Sequence, residues 1–413
     1  MEHPAGKAHG YGIFPMRLPA RFTEVFSRLG KNRHKEVIPV ADHSFYPQKD
    51  TQAYRLLELT AICGELPACL LHRIPGSTSY KDVLVWSLKK ERLLKTYYRD
   101  RLRGYRLGTK GKAFLLRENP ERFSFYLTGN ADTNMLKSEI TRRLRLHRIA
   151  EIYIMMVNAG ISVFRDEKPD LFSPGGTGLL PTHPPAFYSS REVKELGMET
   201  VKIRGSRMAG VLTSPAGSFL IYNEGTRTAK WDYRAEQRAQ ALLQMTLCTG
   251  QTANDKVSGL LFGSGMEPFY QILSSADSNT RCFFLLDGNY EHFYYLTNDF
   301  HGEVMLKLLC DTGRRAELDR ILSLDLKTGA SDFSIENDAL DREGNPVLFG
   351  YLPDIPRVNR FLMALQLRER TGTLICFDFQ AGAYAQYAGG LLRLQTISFE
   401  KFERRFYPSK KEN

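Results

Sequence analysis

The chain lacks most of the signals that assign a protein quickly. No apolar run approaches the ~18–20 residues that cross a bilayer, and the opening "MEHPAGKAHGYGIFPMRLPARF" holds no continuous apolar segment. Neither a membrane span nor a secretory leader is expected. Six cysteines stand at 63, 69, 248, 282, 310 and 376, with no Cys-x-x-Cys pair. This argues against a zinc ribbon or disulfide framework and for a reducing cytoplasm. Cys63 and Cys69 read as small core residues on helices. "PGGTG", residues 174–178, lacks the Gly-Lys-Ser/Thr ending of a phosphate loop, and no Gly-x-Ser-x-Gly elbow occurs.

What the chain does have is positive charge, placed unevenly. The formal net charge is +11 over 413 residues. Between Lys81 and Arg148 stand 18 Lys and Arg against seven Asp and Glu, so this block holds the whole excess. A charge excess confined to one module is an electrostatic footprint for a polyanion. The alternative is a solvated basic surface without a specific partner.

Residues 1–45 are rich in Pro, Gly and His and read as a flexible arm. "AYRLLELTAICGEL" has apolar residues at 56, 57, 59, 62, 63 and 66, a helical spacing. "LPACLLHRI" reads as a short second helix. "PGSTSYKDVLVWSLKKERLL" opens a third, with Ser79 as its cap and Asp82 completing a capping box. Val83, Leu84, Leu88 and Leu94 are expected to face inward, with Lys81, Val85 and Lys89 elsewhere. Two strands follow, about 93–98 and 103–107, across "RDRLRG". From Lys95 to Lys112 this stretch holds seven basic residues and one acid, Asp100.

Three helices and a two-stranded hairpin are the order of a winged helix-turn-helix, whose third helix enters the major groove. Base edges would be offered Ser77, Ser79, Tyr80, Lys81, Val85 and Lys89. Phosphates would be met by Lys95, Arg99, Arg101, Arg103, Arg106, Lys110 and Lys112. A long helix over 132–159 carries Arg142, Arg143, Arg145 and Arg148 in its first half, which extend the footprint, and an apolar second half suited to a core or a dimer seam.

The expected organisation is an arm (1–45), a winged-helix domain (46–128), a connecting helix (129–165), a Pro/Gly-rich linker (166–190) and an α/β domain (191–413). In the last, strands are expected at "RMAGVLTS", "SFLIYNE", "VSGLLFG", "RCFFLLDG", "HFYYLTN", "PVLFGYL" and "TLICFDF". Helices are expected at "YRAEQRAQALLQMTL", "MEPFYQILSSA", "FHGEVMLKLLC" and "DIPRVNRFLMALQLRER". Apolar residues at consecutive strand positions predict a mixed sheet covered on both faces. At its strand ends Gly263 and Gly265 suit a tight turn more than a phosphate cradle. Asp287, Asp299 and Asp378 suit caps or turns. His292 and His301 lie near Asp299 without the spacing of a metal site.

"RLLELTAICGELPACLLHRIPGSTSYKDVLVWSLKKERLL", "YRLGTKGKAFL", "RLHRIAEIYIMMVNAG" and "SFLIYNEGTRTAKWDYRAEQRAQALLQ" together resemble the replication-relaxation family of plasmid and mobile-element proteins. These pieces cover about half of residues 53–245. The resemblance implies an α+β and α/β multidomain chain, a winged helix followed by a mixed-sheet domain similar to a degenerate restriction-endonuclease fold. It also implies a nuclease-like strand reading Glu-x-Asp-Arg-Gly-Thr. If Gly225-Thr226 is the matching Gly-Thr, the two acid positions are Ile221 and Asn223, which cannot supply the negative shell a divalent ion needs. A shifted register would leave Glu224 and Lys230 as the catalytic candidates, without a second acid.

The expected function is therefore sequence-specific binding of double-stranded DNA by an accessory or regulatory protein of a plasmid or integrative element, in replication, transfer or transcription. A homodimer and a relaxase or replication protein are the expected partners; no membrane, cofactor or metal is expected. The alternatives are a metal-dependent nuclease with a divergent acid set and an adaptor whose basic module docks on an acidic protein.

Overall fold

The computed structural model describes residues 46–172, 183–195, 206–225, 233–247, 256–275, 290–329 and 335–408. Thr51 starts the first helix, α1 (Gln52–Cys63), by accepting from the Tyr54 amide, and Gly64 ends it at φ 72°. The expected short second helix is a 3-10 turn, Ala68–Arg73, preceded by a two-residue strand, β1 (Leu66–Pro67). Cys63 is buried but Cys69 is exposed on that turn, contrary to its expected core position.

The next helix, α2 (Thr78–Lys90), is capped by Ser77 rather than Ser79: the Ser77 backbone is extended and its hydroxyl accepts from the Tyr80 amide. Its inward face also differs from expectation. Lys81, Leu84, Val85 and Leu88 are buried, whereas Val83 is 64% exposed. The Lys81 ammonium decides this, donating at 3.0 Å to each of the His72 and Ile74 carbonyls and closing the end of the 3-10 turn.

Strands β2 (Leu94–Arg99) and β3 (Leu102–Leu107) pair antiparallel, and β1 joins the other edge of β3. Asp100 and Arg101 alone connect them, both in the left-handed region at φ 52° and 61°. That is the mirror-image turn whose twist matches a two-residue hairpin. Helices α3 (Thr109–Glu118) and α4 (Pro120–Leu127) meet at Asn119, which ends one and caps the other ahead of Pro120. The long helix α5 (Ile140–Asn158) begins eight residues later than expected. The preceding segment is held in another conformation by the hairpin and α3: the Lys137 carbonyl accepts from Arg106, the Ser138 hydroxyl from Tyr97, and the Asn134 carbonyl from Lys112.

Beyond α5 come β4 (Ala186–Ser189), α6 (Ser190–Glu195), β5 (Gly210–Ser214), β6 (Gly217–Gly225), α7 (Tyr233–Leu247), β7 (Ser258–Gly263), α8 (Glu267–Ser275) and β8 (Phe293–Thr297). The five strands form one mixed sheet in the order β4-β5-β6-β7-β8, antiparallel as far as β6 and parallel from β6 to β8. Then follow α9 (Phe300–Cys310), α10 (Thr312–Leu322), β9 (Ala339–Leu340), β10 (Pro346–Phe349), α11 (Ile355–Leu367), β11 (Gly372–Phe377), α12 (Ala381–Ala388), β12 (Leu392–Ile397) and α13 (Phe399–Phe406). Their sheet runs β12-β11-β10-β9, with only β9 antiparallel. The mixed α/β character read from the sequence is thus present, and β7 and β11 are covered on both faces as their apolar runs predict. The expected strand over 281–288 and the arm over 1–45 lie outside the described residues.

The apolar half of α5 is the bridge. Ile152, Ile154 and Met155 share one core with Leu57 of α1, Ile221 and Phe262 of the five-stranded sheet, and Leu308 of α9. The opposite face of that sheet, Tyr222 and Leu261, packs with Leu243, Phe269 and Tyr384. The described residues from Pro47 onward belong to one unit. Among the described residues no helix is long and apolar enough to cross a membrane.

Candidate nucleic-acid interface

The hairpin divides its arginines into two populations. At the tip, Tyr98, Arg99, Arg101 and Arg103 are exposed. Arg99 pairs loosely with Asp100, Nε to Oδ2 at 3.5 Å. Arg101 and Arg103 make no hydrogen bond or ion pair among the described residues.

At the root, strand alternation turns Arg106 inward onto Glu65, which is fully buried. Arg106 Nε donates to Glu65 Oε2 at 2.7 Å, Arg143 Nη2 to Oε1 at 2.6 Å, and His147 Nε2 lies 2.8 Å from Oε1. Gly104 makes room for this carboxylate: a Cβ there would stand 2.5 Å from Glu65 Oε1. Burial alone would raise the Glu65 pKa, but hydrogen bonds from His147, Arg143 and Arg106 outweigh it and bring it to about 2. Arg143 also donates to the Arg99 carbonyl at 2.7 Å and the Leu102 carbonyl at 3.0 Å, so it braces both ends of the turn from beneath. The Arg106 guanidinium lies 3.6 Å from the centroid of the Tyr97 ring.

This geometry removes four residues from the expected contact set. Lys81, Val85, Arg106 and Arg143 are buried and cannot reach a groove or a phosphate. Lys112 is half-buried and its ammonium is engaged by Asn134 at 2.8 and 3.0 Å; burial and the nearby Lys95 lower its pKa. Ser77, Ser79, Tyr80, Lys89, Lys95, Arg99, Arg101, Arg103, Lys110, Arg142 and Arg145 are all exposed. Sequence reasoning missed Glu65, Val83, Trp86 and Tyr98. No local sequence signal marks Glu65, because its partners lie 41, 78 and 82 residues away.

The strand ends of the five-stranded sheet are differently occupied. Ile221 is in the core. Asn223 Nδ2 donates to Glu151 Oε2 at 2.8 Å and to the Arg148 carbonyl at 3.0 Å, tying β6 to α5. Glu224 is buried and adds its charge to the burial that raises the Tyr295 pKa. Lys230 and Asp287 lie outside the described residues.

Asp299 caps α9, accepting from Gly302 N at 3.1 Å and Thr297 Oγ1 at 2.6 Å. Burial opposes its ionisation, yet these bonds and His301 hold its pKa at about 2. His301 is 3.6 Å from Asp299, and His292 is 2.7 Å from Asp354. Asp378 accepts from the Phe379 and Phe399 amides. Gly265 occupies a left-handed turn at φ 89°, and a Cβ on Gly263 would strike the Tyr295 hydroxyl. Among the described residues no group of three or more His, Cys, Asp or Glu side chains is placed to hold a metal ion. A cavity of about 810 Å³ lies beside α4, lined by residues such as Phe125, Arg165 and Arg191; none of the sequence-predicted residues lines it.

No protein-family model matches the chain, and no curated protein or solved structure is significantly similar to it.

Proposed function

We propose that the chain is a sequence-specific double-stranded-DNA-binding protein, an accessory or regulatory factor of a plasmid or integrative element. In this reading α1, the 3-10 turn, α2 and the β2–β3 hairpin are a winged helix, with α2 in the major groove and the hairpin as its wing. The observation that carries it is the hairpin tip, where Arg101 and Arg103 stand exposed without a hydrogen bond or ion pair among the described residues, above a turn braced by Arg143. Cations left uncommitted on a rigid protrusion suit phosphate contact. The role in replication, transfer or transcription, with a relaxase or replication protein as partner, rests on the resemblance of the sequence motifs.

The five-stranded sheet is read as a nuclease-like scaffold used for protein contacts or dimerisation. In this reading β6 is the strand whose two acid positions are filled by Ile221 and Asn223, and β5 before it carries no acid. Metal-dependent DNA cleavage that disappears in Glu224→Ala would overturn the non-catalytic reading. The exposed Val83 and Trp86 favour a second reading, an adaptor that meets protein through α2. Fluorescence anisotropy with labelled duplex at low salt separates the two: binding supports the DNA reading, and none supports the adaptor.

A further inference from the structure

The outward face of α2 is more apolar than a solvated surface requires. Tyr80, Val83 and Trp86 are 48%, 64% and 62% exposed. Their three-residue spacing places them along one side of the helix, opposite the buried Leu84, Val85 and Leu88. The stripe contributes little burial to the fold, so its apolar character is available for contact.

Cations border the stripe. Lys89, Lys90 and Arg92 stand exposed at its C-terminal end, Lys90 lies 5.3 Å from the centroid of the Trp86 ring, and Lys95 follows on β2. An apolar protein surface would have to bury these charges against nothing, whereas duplex DNA supplies phosphates along both walls of the groove. Within the major groove the apolar group on a base edge is the thymine 5-methyl. The helix has little else for the groove at mid-length: between Asp82 and Ser87 its exposed side chains are Val83 and Trp86.

We propose that Val83 and Trp86 read thymine through its 5-methyl group, which makes α2 selective for thymine-bearing duplex. This rests on the DNA-binding reading above. It assigns the specificity to apolar contact, with the hairpin arginines adding affinity that is indifferent to sequence.

The test uses the full chain and two alternating duplexes of equal length, one of deoxyadenosine and thymidine, the other with deoxyuridine in place of every thymidine. The pair has the same phosphate charge and the same hydrogen-bonding groups and differs in the methyl alone. The thymine duplex is expected to bind tighter by about four-fold for each methyl covered. Val83→Ala/Trp86→Ala should abolish that ratio, and circular dichroism should show the fold unchanged because both side chains are exposed. Arg101→Ala/Arg103→Ala should weaken both duplexes while keeping the ratio. Equal affinity of the native chain for the two duplexes overturns the thymine inference and leaves the DNA reading standing. A ratio that survives in Val83→Ala/Trp86→Ala also overturns it. So does an unchanged ratio with an altered sedimentation coefficient, which assigns the stripe to a second copy of the chain. No binding to either duplex at low salt overturns the DNA reading itself.

Discussion

The hairpin tip and the strand ends of the five-stranded sheet both collect polar side chains at the edge of a sheet, and they treat them in opposite ways. At the strand ends Asn223 ties β6 to α5, and Asp299 caps α9. These groups are committed to holding elements together. At the tip Arg101 and Arg103 make no hydrogen bond or ion pair among the described residues, although the root directly below is the most densely paired place in the hairpin. Polar side chains that complete caps and turns explain themselves. The exposed cations on the braced turn are what the proposed DNA contact rests on.

The largest effect should come from breaking the brace. Glu65→Gln leaves the buried Arg106 and Arg143 facing a neutral side chain, and removing one partner of a buried ion pair costs about 3–5 kcal/mol. Urea denaturation should show that loss. The pH dependence follows from sign. Glu65 titrates at about 2 in the folded chain against an ordinary 4.5, so its stabilisation is present above 4.5 and disappears as pH falls toward 2. That part of the acid-induced decline should be missing in Glu65→Gln.

Next in size is Arg101→Ala/Arg103→Ala, which removes tip charge and spares the root. The denaturation midpoint should stay within error. Duplex affinity should fall at moderate salt, and the log–log salt dependence should become shallower by about 2 as two phosphate contacts are lost.

Arg101→Gly sharpens the contrast. Arg101 sits at φ 61°, where a glycine has no steric penalty. The substitution should stabilise the fold by about 1 kcal/mol and still weaken DNA binding. A variant that is more stable and binds less well would show that the residue is there for its charge.

The smallest effect belongs to the tied-in region. A hydrogen bond to Asp354 raises the His292 pKa above 6.5, against the effect of burial. Its stabilisation is therefore complete below 6.5 and lost as pH rises through the folded value. A slight fall in thermal midpoint on the alkaline side of neutrality, absent in His292→Gln, is the expected readout.

How much of this could be read from the sequence depends on how local each cause was. Helices α7 and α9 were legible to the residue, because their apolar spacing is bounded by clear breaks such as Asp299. The hairpin was legible from the alternation on either side, but its connection was expected across residues 99–104 and is only Asp100 and Arg101. The inward face of α2 was not. Val83 and Val85 lie about 200° apart on a helix, so choosing between them inverts the face, and what settles it is Lys81 reaching back to residues 72 and 74. The root cluster was hidden for a stronger reason: Glu65 meets partners 41, 78 and 82 residues away. Arg99, Arg101 and Arg103 look no different in sequence from Arg106 and Arg143, and only the fold sorts them into exposed and buried. The start of α5 was misplaced because the hairpin and α3 take up the groups at 134, 137 and 138.

The most direct measurement is the affinity of the native chain for labelled duplex DNA, followed by anisotropy from about 50 to 200 mM salt. The account predicts binding at the low end, a steep linear fall of log affinity with log salt, and a shallower line for Arg101→Ala/Arg103→Ala. Absence of binding at the lowest salt, or a line that the two substitutions leave unchanged, would contradict it.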